Sequence, residues 1–126
     1  GWLSTWGLLL WERGHEELLS DELLVLPRLE ITPSFRRDWA NPRVKLKERL
    51  ELQKRLARVA VMLDKSNGDT SPLKRDGGLQ YDNYTGVNSA IGHFRVNNRG
   101  WRVTCTSERG KLILRRFGPH DINDNP

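Results

Sequence analysis

The sequence predicts an α+β domain in which helices pack on one face of a small antiparallel sheet. Three observations predict it. The segment 43–65 carries its apolar residues on one side of a helix. Three segments between 90 and 117 are short, rich in β-branched and aromatic residues, and separated by close turn signals. A further short strand, 28–32, precedes the helix. A helical layer against an antiparallel sheet buries the apolar face of each, and 126 residues are enough for one such core.

In chain order, 5–25 reads as helix, interrupted near Gly14, with Leu18, Leu19, Leu23 and Leu26 at helical spacing beside Glu16, Glu17, Asp21 and Glu22. Pro27 ends it. Residues 1–27 are thus expected to be a helical leader, either inhibitory or an added segment, and Gly1 in place of Met reads as a trimmed or added start. The folded domain is expected over 28–126. The strand 28–32 puts Leu29 and Ile31 on one face. Thr32-Pro33 starts a short helical turn, because proline suits the first helical position, and Phe35 and Trp39 face inward from it. In 43–65, Leu46, Leu50, Leu52, Leu56, Ala57, Val59, Ala60, Val61 and Leu63 fall on one arc at 100° per residue, opposite Lys47, Glu48, Glu51, Lys54, Arg55 and Arg58. Glu51 and Arg55 are spaced to pair along the helix. Asn67-Gly68, Ser71-Pro72 and Gly77-Gly78 make 66–89 a long loop. Strands are expected at 90–96, 101–106 and 111–117, with turns at 97–100 and 107–110. Turns this short imply an antiparallel meander. Gly118-Pro119 breaks it.

Charge and composition narrow the function. Residues 1–42 set four arginines against seven acids, a balance of −3, and 43–126 set 17 Lys and Arg against nine acids, a balance of +8. A basic body with an acidic leader favours a polyanionic partner for the body. No apolar run reaches the roughly 18 residues of a membrane span. The longest, within 2–11, stops at Glu12-Arg13 and lacks a basic segment before it, so neither membrane insertion nor a signal peptide is expected. Cys105 is the only cysteine, which excludes an intramolecular disulfide and a thiolate cluster and fits a cytoplasmic location. His15, His93 and His120 lack ligand spacing, so neither a metal nor a small-molecule cofactor is expected.

The meander concentrates cations. His93 and Arg95 alternate with Phe94 and Val96 and so share one strand face. Arg102 follows Trp101 on the next strand, and His120 lies just past the last. Lys74, Arg75, Arg99, Arg115 and Arg116 are expected to extend this surface toward RNA phosphates, with Tyr81 or Tyr84 stacking on unpaired bases. Such a set suits RNA cleavage by the strand's own 2′-hydroxyl. Histidine serves as base and acid near neutrality, and arginine grips the pentacovalent phosphate. The candidate catalytic residues are therefore Arg102, His120, His93 and Arg95. A solvated charged surface is the plain alternative.

The segment His93-Phe94-Arg95-Val96-Asn97-Asn98-Arg99-Gly100-Trp101-Arg102-Val103 resembles the strand–turn–strand core of the RelE/ParE toxin superfamily. The stretch Leu112-Ile113-Leu114-Arg115-Arg116-Phe117-Gly118-Pro119-His120-Asp121-Ile122 resembles its last strand and the Gly-x-His/Arg run that follows, and Leu29-Glu30-Ile31-Thr32-Pro33 resembles its opening strand. The resemblance spans about 28–123. It implies a RelE-like β-α-α-β-β-β toxin domain of a toxin–antitoxin pair that enters the ribosomal A site and cuts mRNA, with an acidic antitoxin as its partner. By the same resemblance, Arg102 would stabilise the transition state, His93 and Arg95 would occupy paired basic positions, and His120 the position after the last strand. A tyrosine common shortly after that position is absent, and Asn123 stands nearby. A ParE-like inhibitor of DNA gyrase, or a non-catalytic RNA- or ribosome-binding domain, is the alternative. The leader, with Glu12, Glu16, Glu17, Asp21 and Glu22 beside leucines, would mimic an antitoxin in cis or pack as a plain extra helix.

Overall fold

The computed structural model describes residues 26–126. The expected helix over 5–25, and with it the inhibitory role of the leader, falls outside the described residues. The domain is α+β, as the sequence predicts. Its elements are β1 (Leu29–Ile31), α1 (Pro33–Ala40), α2 (Leu46–Lys65), α3 (Ser71–Arg75), β2 (Asp82–Asn83), β3 (Gly92–Arg95), β4 (Arg102–Glu108) and β5 (Lys111–Gly118), with single 3-10 turns at Gly86–Asn88 and His120–Asp124.

The strands form one sheet in the order β1-β5-β4-β3-β2. It is mixed rather than purely antiparallel: β1 runs parallel to β5, pairing Leu29 with Leu112 and Ile31 with Leu114. Short turns dictate antiparallel neighbours only within the meander. The whole chain from Ile31 to Lys111 separates β1 from its partner and imposes no direction. The expected loop over 66–89 is also partly structured. It holds α3, started by Ser71-Pro72, and β2, a two-residue edge strand on Gly92 and His93.

The local chemistry accounts for these elements. Thr32 caps α1, its hydroxyl accepting from the Phe35 amide at 3.1 Å, with Pro33 in the first turn. In α2 the buried residues are Arg49, Leu52, Gln53, Leu56, Val59, Ala60 and Leu63. Their spacing is the i, i+3, i+4, i+7 stripe of a packed helix. The stripe is narrower than the predicted arc, because Leu46 is exposed and Leu50 and Val61 are only half-buried. Glu51 does not pair with Arg55. It reaches across the fold to Arg99, while Arg55 donates to the Gly78 and Val96 carbonyls at 3.4 Å. The β4–β5 hairpin closes on Arg109 and Gly110, both with positive φ (52° and 76°), the two-residue turn that matches strand twist.

The core lies between α2 and one face of the sheet. Leu52, Leu56 and Leu63 meet Phe94, Val103, Cys105, Leu112, Leu114 and Phe117 there. Phe35 and Trp39 are buried, as the sequence predicts. The opposite sheet face carries His93, Arg95, Arg102, Thr104 and Arg116, as the cross-strand register shows. No helix of the described residues is long and apolar enough to cross a membrane.

Candidate functional site

The open face gathers the predicted residues by strand alternation. On β3 the burial pattern alternates, with Phe94 buried and His93 and Arg95 half-exposed on the other side. Arg95 pairs directly with Arg102 across β3 and β4, and His93 with Thr104. A pocket of about 310 Å³ runs along them, lined by His93, Arg95, Trp101 and Arg102 among others.

The segment after β5 folds back over this face. Gly118 makes the turn possible: a Cβ there would lie 2.8 Å from both Ile122 Cγ2 and the Arg43 guanidinium. Arg43 in turn donates to Asp121 at 3.1 Å, and Ile122 is buried. The 3-10 turn His120–Asp124 is thereby seated with Asn123 toward Arg102. Asn123 Oδ1 accepts from Arg102 Nη1 at 3.3 Å and from the Tyr84 hydroxyl, while its Nδ2 lies 3.5 Å from His120 Nε2. Tyr84 also packs on His93, with ring centroids 4.6 Å apart and planes tilted by 49°.

Burial, joined by the Arg102 charge, lowers the His93 imidazole below its ordinary pKa, and Asp82 opposes the shift. The ring is therefore neutral near pH 7 and able to take a proton. Burial pushes the Tyr84 phenol above its ordinary value against the pull of Arg102, so it keeps its proton and donates. Arg102, tied by Nε to the Gly100 carbonyl at 3.4 Å, holds its fork toward the site. His120 is exposed at the rim. One guanidinium, two imidazoles and a phenol from four separate stretches of chain thus form one cluster.

The remaining predicted residues are placed differently. Arg95 turns its Nε to the Asn97 carbonyl at 2.8 Å and lines the pocket without joining the Asn123 cluster. Arg99 is held at the hairpin tip by Glu51, with Glu48 4.0 Å away. Arg115 and Arg116 lie on the tail side of the open face. A bulge puts both there: the register shifts between Thr104 and Cys105, so that Arg116 opposes Thr104, Leu114 opposes Cys105, and Arg115 is the extra residue. Arg115 Nε donates to the Pro126 oxygen at 3.2 Å and Arg116 Nη1 to the Asn125 oxygen at 2.8 Å. Lys74 and Arg75 lie on α3, whose following residue, Asp76, pairs with Arg58 of α2, and neither lines the Arg102 pocket. Tyr81 is not available for base stacking. It is buried, stacked on Phe94 at 6.4 Å and bonded to the Cys105 thiol, itself pushed up to about 12 by burial.

Two features escape the sequence reading: the contacts of Tyr84, expected only to stack on bases, and the role of Asp38. Tyr84 enters the site beside His93 because β2 pairs with β3, and a two-residue strand leaves no periodic trace. Asp38, on α1, accepts from Arg116 Nε at 2.7 Å and from the Phe117 amide at 2.9 Å. It satisfies the β5 edge beyond the reach of three-residue β1. Among the described residues no three His, Cys, Asp or Glu side chains gather as a metal site requires. The chain matches no protein-family model, no curated protein and no solved structure.

Proposed function

We propose that this chain is a RelE-like endoribonuclease toxin that cuts mRNA in the ribosomal A site without a metal, and that an acidic antitoxin binds its basic open face. The observation that carries the reading is the joining of Arg102 through Asn123 to His120, with His93 and Tyr84 alongside. The element order and the residues at 93, 95, 102 and 120 support the family resemblance.

The chemistry follows from the side chains. A neutral imidazole removes the 2′-hydroxyl proton, and the oxygen attacks the adjacent phosphorus. The Arg102 fork holds two phosphate oxygens as negative charge grows on them. The 5′-oxygen leaves with a proton from a protonated imidazole, giving a 2′,3′-cyclic phosphate and a 5′-hydroxyl. His93, lowered by burial, suits the base. His120, at the open rim, suits the acid once protonation releases its Nε2 from the Asn123 amide, a contact that only the neutral ring accepts. The Tyr84 hydroxyl fixes Asn123 and so stands near the position left vacant by the family's missing tyrosine.

Primer extension on translating ribosomes with a chelator present tests this reading. The wild-type chain should cut, and Arg102→Ala and His120→Ala should each slow cleavage by about 100-fold or more with unchanged thermal unfolding. Undiminished cleavage in both variants rejects the site. Binding without cleavage by the wild type leaves only an RNA- or ribosome-binding domain.

A further inference from the structure

A second basic cavity, of about 390 Å³, lies between α1 and the tail side of β5. Its walls include Ser34, Arg37 and Asp38 from α1, Arg115 and Arg116 from the bulged strand, and Asn125 and Pro126. Asp38 is fully engaged by Arg116 and the Phe117 amide. Arg115 uses Nε on the Pro126 oxygen, and among the described residues its two terminal nitrogens have no hydrogen-bond partner. Arg37 is exposed and, among the described residues, donates only Nη2, to the Ser34 hydroxyl at 3.0 Å. Two guanidinium forks and a hydroxyl are therefore left to face an anion. The bulge is what supplies them, because a regular strand would send Arg115 to the opposite side of the sheet from Arg116.

We infer that this cavity is a second phosphate-binding subsite, which takes a backbone phosphate of the same single RNA strand whose neighbouring phosphate sits at Arg102. The inference rests on the RNA-cleaving reading above and adds Arg37, Ser34 and Arg115 to it. Arg116 lies one strand across and two residues along from Arg102 in the β4–β5 register. Strand spacing and rise put their backbones on the order of 8 Å apart, so an extended strand spans both. A guanidinium fork fits two phosphate oxygens at once. The residues 123–126 run between the two cavities, so a bound strand would cross them.

Fluorescence anisotropy with two uncleavable probes, a single-stranded RNA octamer with 2′-deoxy substitution and a dinucleoside monophosphate of the same kind, tests the subsite. Arg37→Ala touches an exposed side chain and leaves the core intact, and the double variant Arg37→Ala/Arg115→Ala removes both forks. The expected result is octamer affinity lowered by several-fold in the single variant and about 10-fold in the double. The salt slope should fall by roughly 0.7 for each phosphate that is no longer neutralised, with dinucleoside binding unchanged. An octamer unaffected by either variant but weakened by Arg102→Ala overturns the subsite and leaves the cleavage site standing. Equal loss for both probes overturns it too, since these arginines would then shape the first pocket. If inorganic phosphate shifts the Arg37 and Arg115 side-chain resonances while the octamer is unaffected, the cavity takes free phosphate and the strand assignment fails. If Arg102→Ala also leaves the octamer unchanged, the RNA reading and the subsite fall together.

Discussion

His93 and Asp38 show how differently single residues declare themselves. His93 alternates with apolar neighbours in a recognisable strand, so its side of the sheet is legible before any coordinates. Its environment is not legible, because Asp82 arrives from a strand too short to read and Tyr84 from just past its end. That environment makes a prediction. Burial and Arg102 lower the His93 pKa, so the unfolded chain binds this proton more readily than the folded one. Stability from this residue is therefore complete above histidine's ordinary value of about 6.5 and is lost as pH falls through the lower folded value. NMR titration should find the His93 midpoint below that of an unstructured histidine, and the acid limb of cleavage should follow it. A midpoint at or above about 6.5 removes His93 as the neutral base. Asp38 reads from sequence as an ordinary acid on a short helix, yet it sits 8% exposed with three donors on it. Asp38→Ala strands the Arg116 charge and the Phe117 amide. Removing one partner of a buried pair destabilises by about 3 kcal/mol, somewhat less here because Arg116 keeps partial solvent contact. Denaturant unfolding should record about 2 kcal/mol, and no change would show that solvent already satisfies Arg116.

Among the elements, α2 is the most legible, because twenty residues of one-sided pattern outweigh any local ambiguity. The meander is nearly as clear, since β-branched residues and close turns leave few alternatives. Legibility ends where an element exists only through its partner. β2 is two residues made by pairing with β3, and the parallel docking of β1 on β5 depends on the whole intervening chain. The packed stripe of α2 also contains two polar residues that the pattern does not place, Arg49 and Gln53. Gln53 is 2% exposed, and among the described residues neither its Oε1 nor its Nε2 has a hydrogen-bond partner. Burying an amide without partners is unfavourable, and replacing it with an apolar group of similar shape is neutral or stabilising. Gln53→Met is therefore expected to raise unfolding stability by about 1 kcal/mol with unchanged cleavage. A loss of stability would mean that the amide is satisfied after all, by solvent or by another part of the chain.

At the scale of the molecule, cations outnumber acids and ion pairs engage only some of them. Residues 26–126 carry twenty Lys and Arg against eleven Asp and Glu. The acids that form ion pairs do so mainly on the helical side and at the edges: Asp76 with Arg58, Glu51 with Arg99, Glu30 with Lys111, Asp121 with Arg43, Asp38 with Arg116. Cations without an acid partner among the described residues include Arg102 and Arg115 on the open face and exposed Arg37 at its margin, and also Lys45, Lys47, Lys65 and Lys74 on or beside the helices. Charge sign is visible in the sequence, but the pairing is not, because each pair joins residues far apart in the chain. The cations that meet the strand set the salt dependence of binding. A single strand loses about 0.7 in the logarithm of affinity per logarithm of salt for each phosphate neutralised. Three or four open-face cations on the strand predict a slope of about −2 to −3 for a short single-stranded RNA, read by anisotropy from low to physiological salt. A slope near zero would show that backbone phosphates are not what the face recognises. A slope steeper than about −5 would require the helical side, with Lys74 and Arg75, to wrap the strand as well, and the open face would then be only part of the interface.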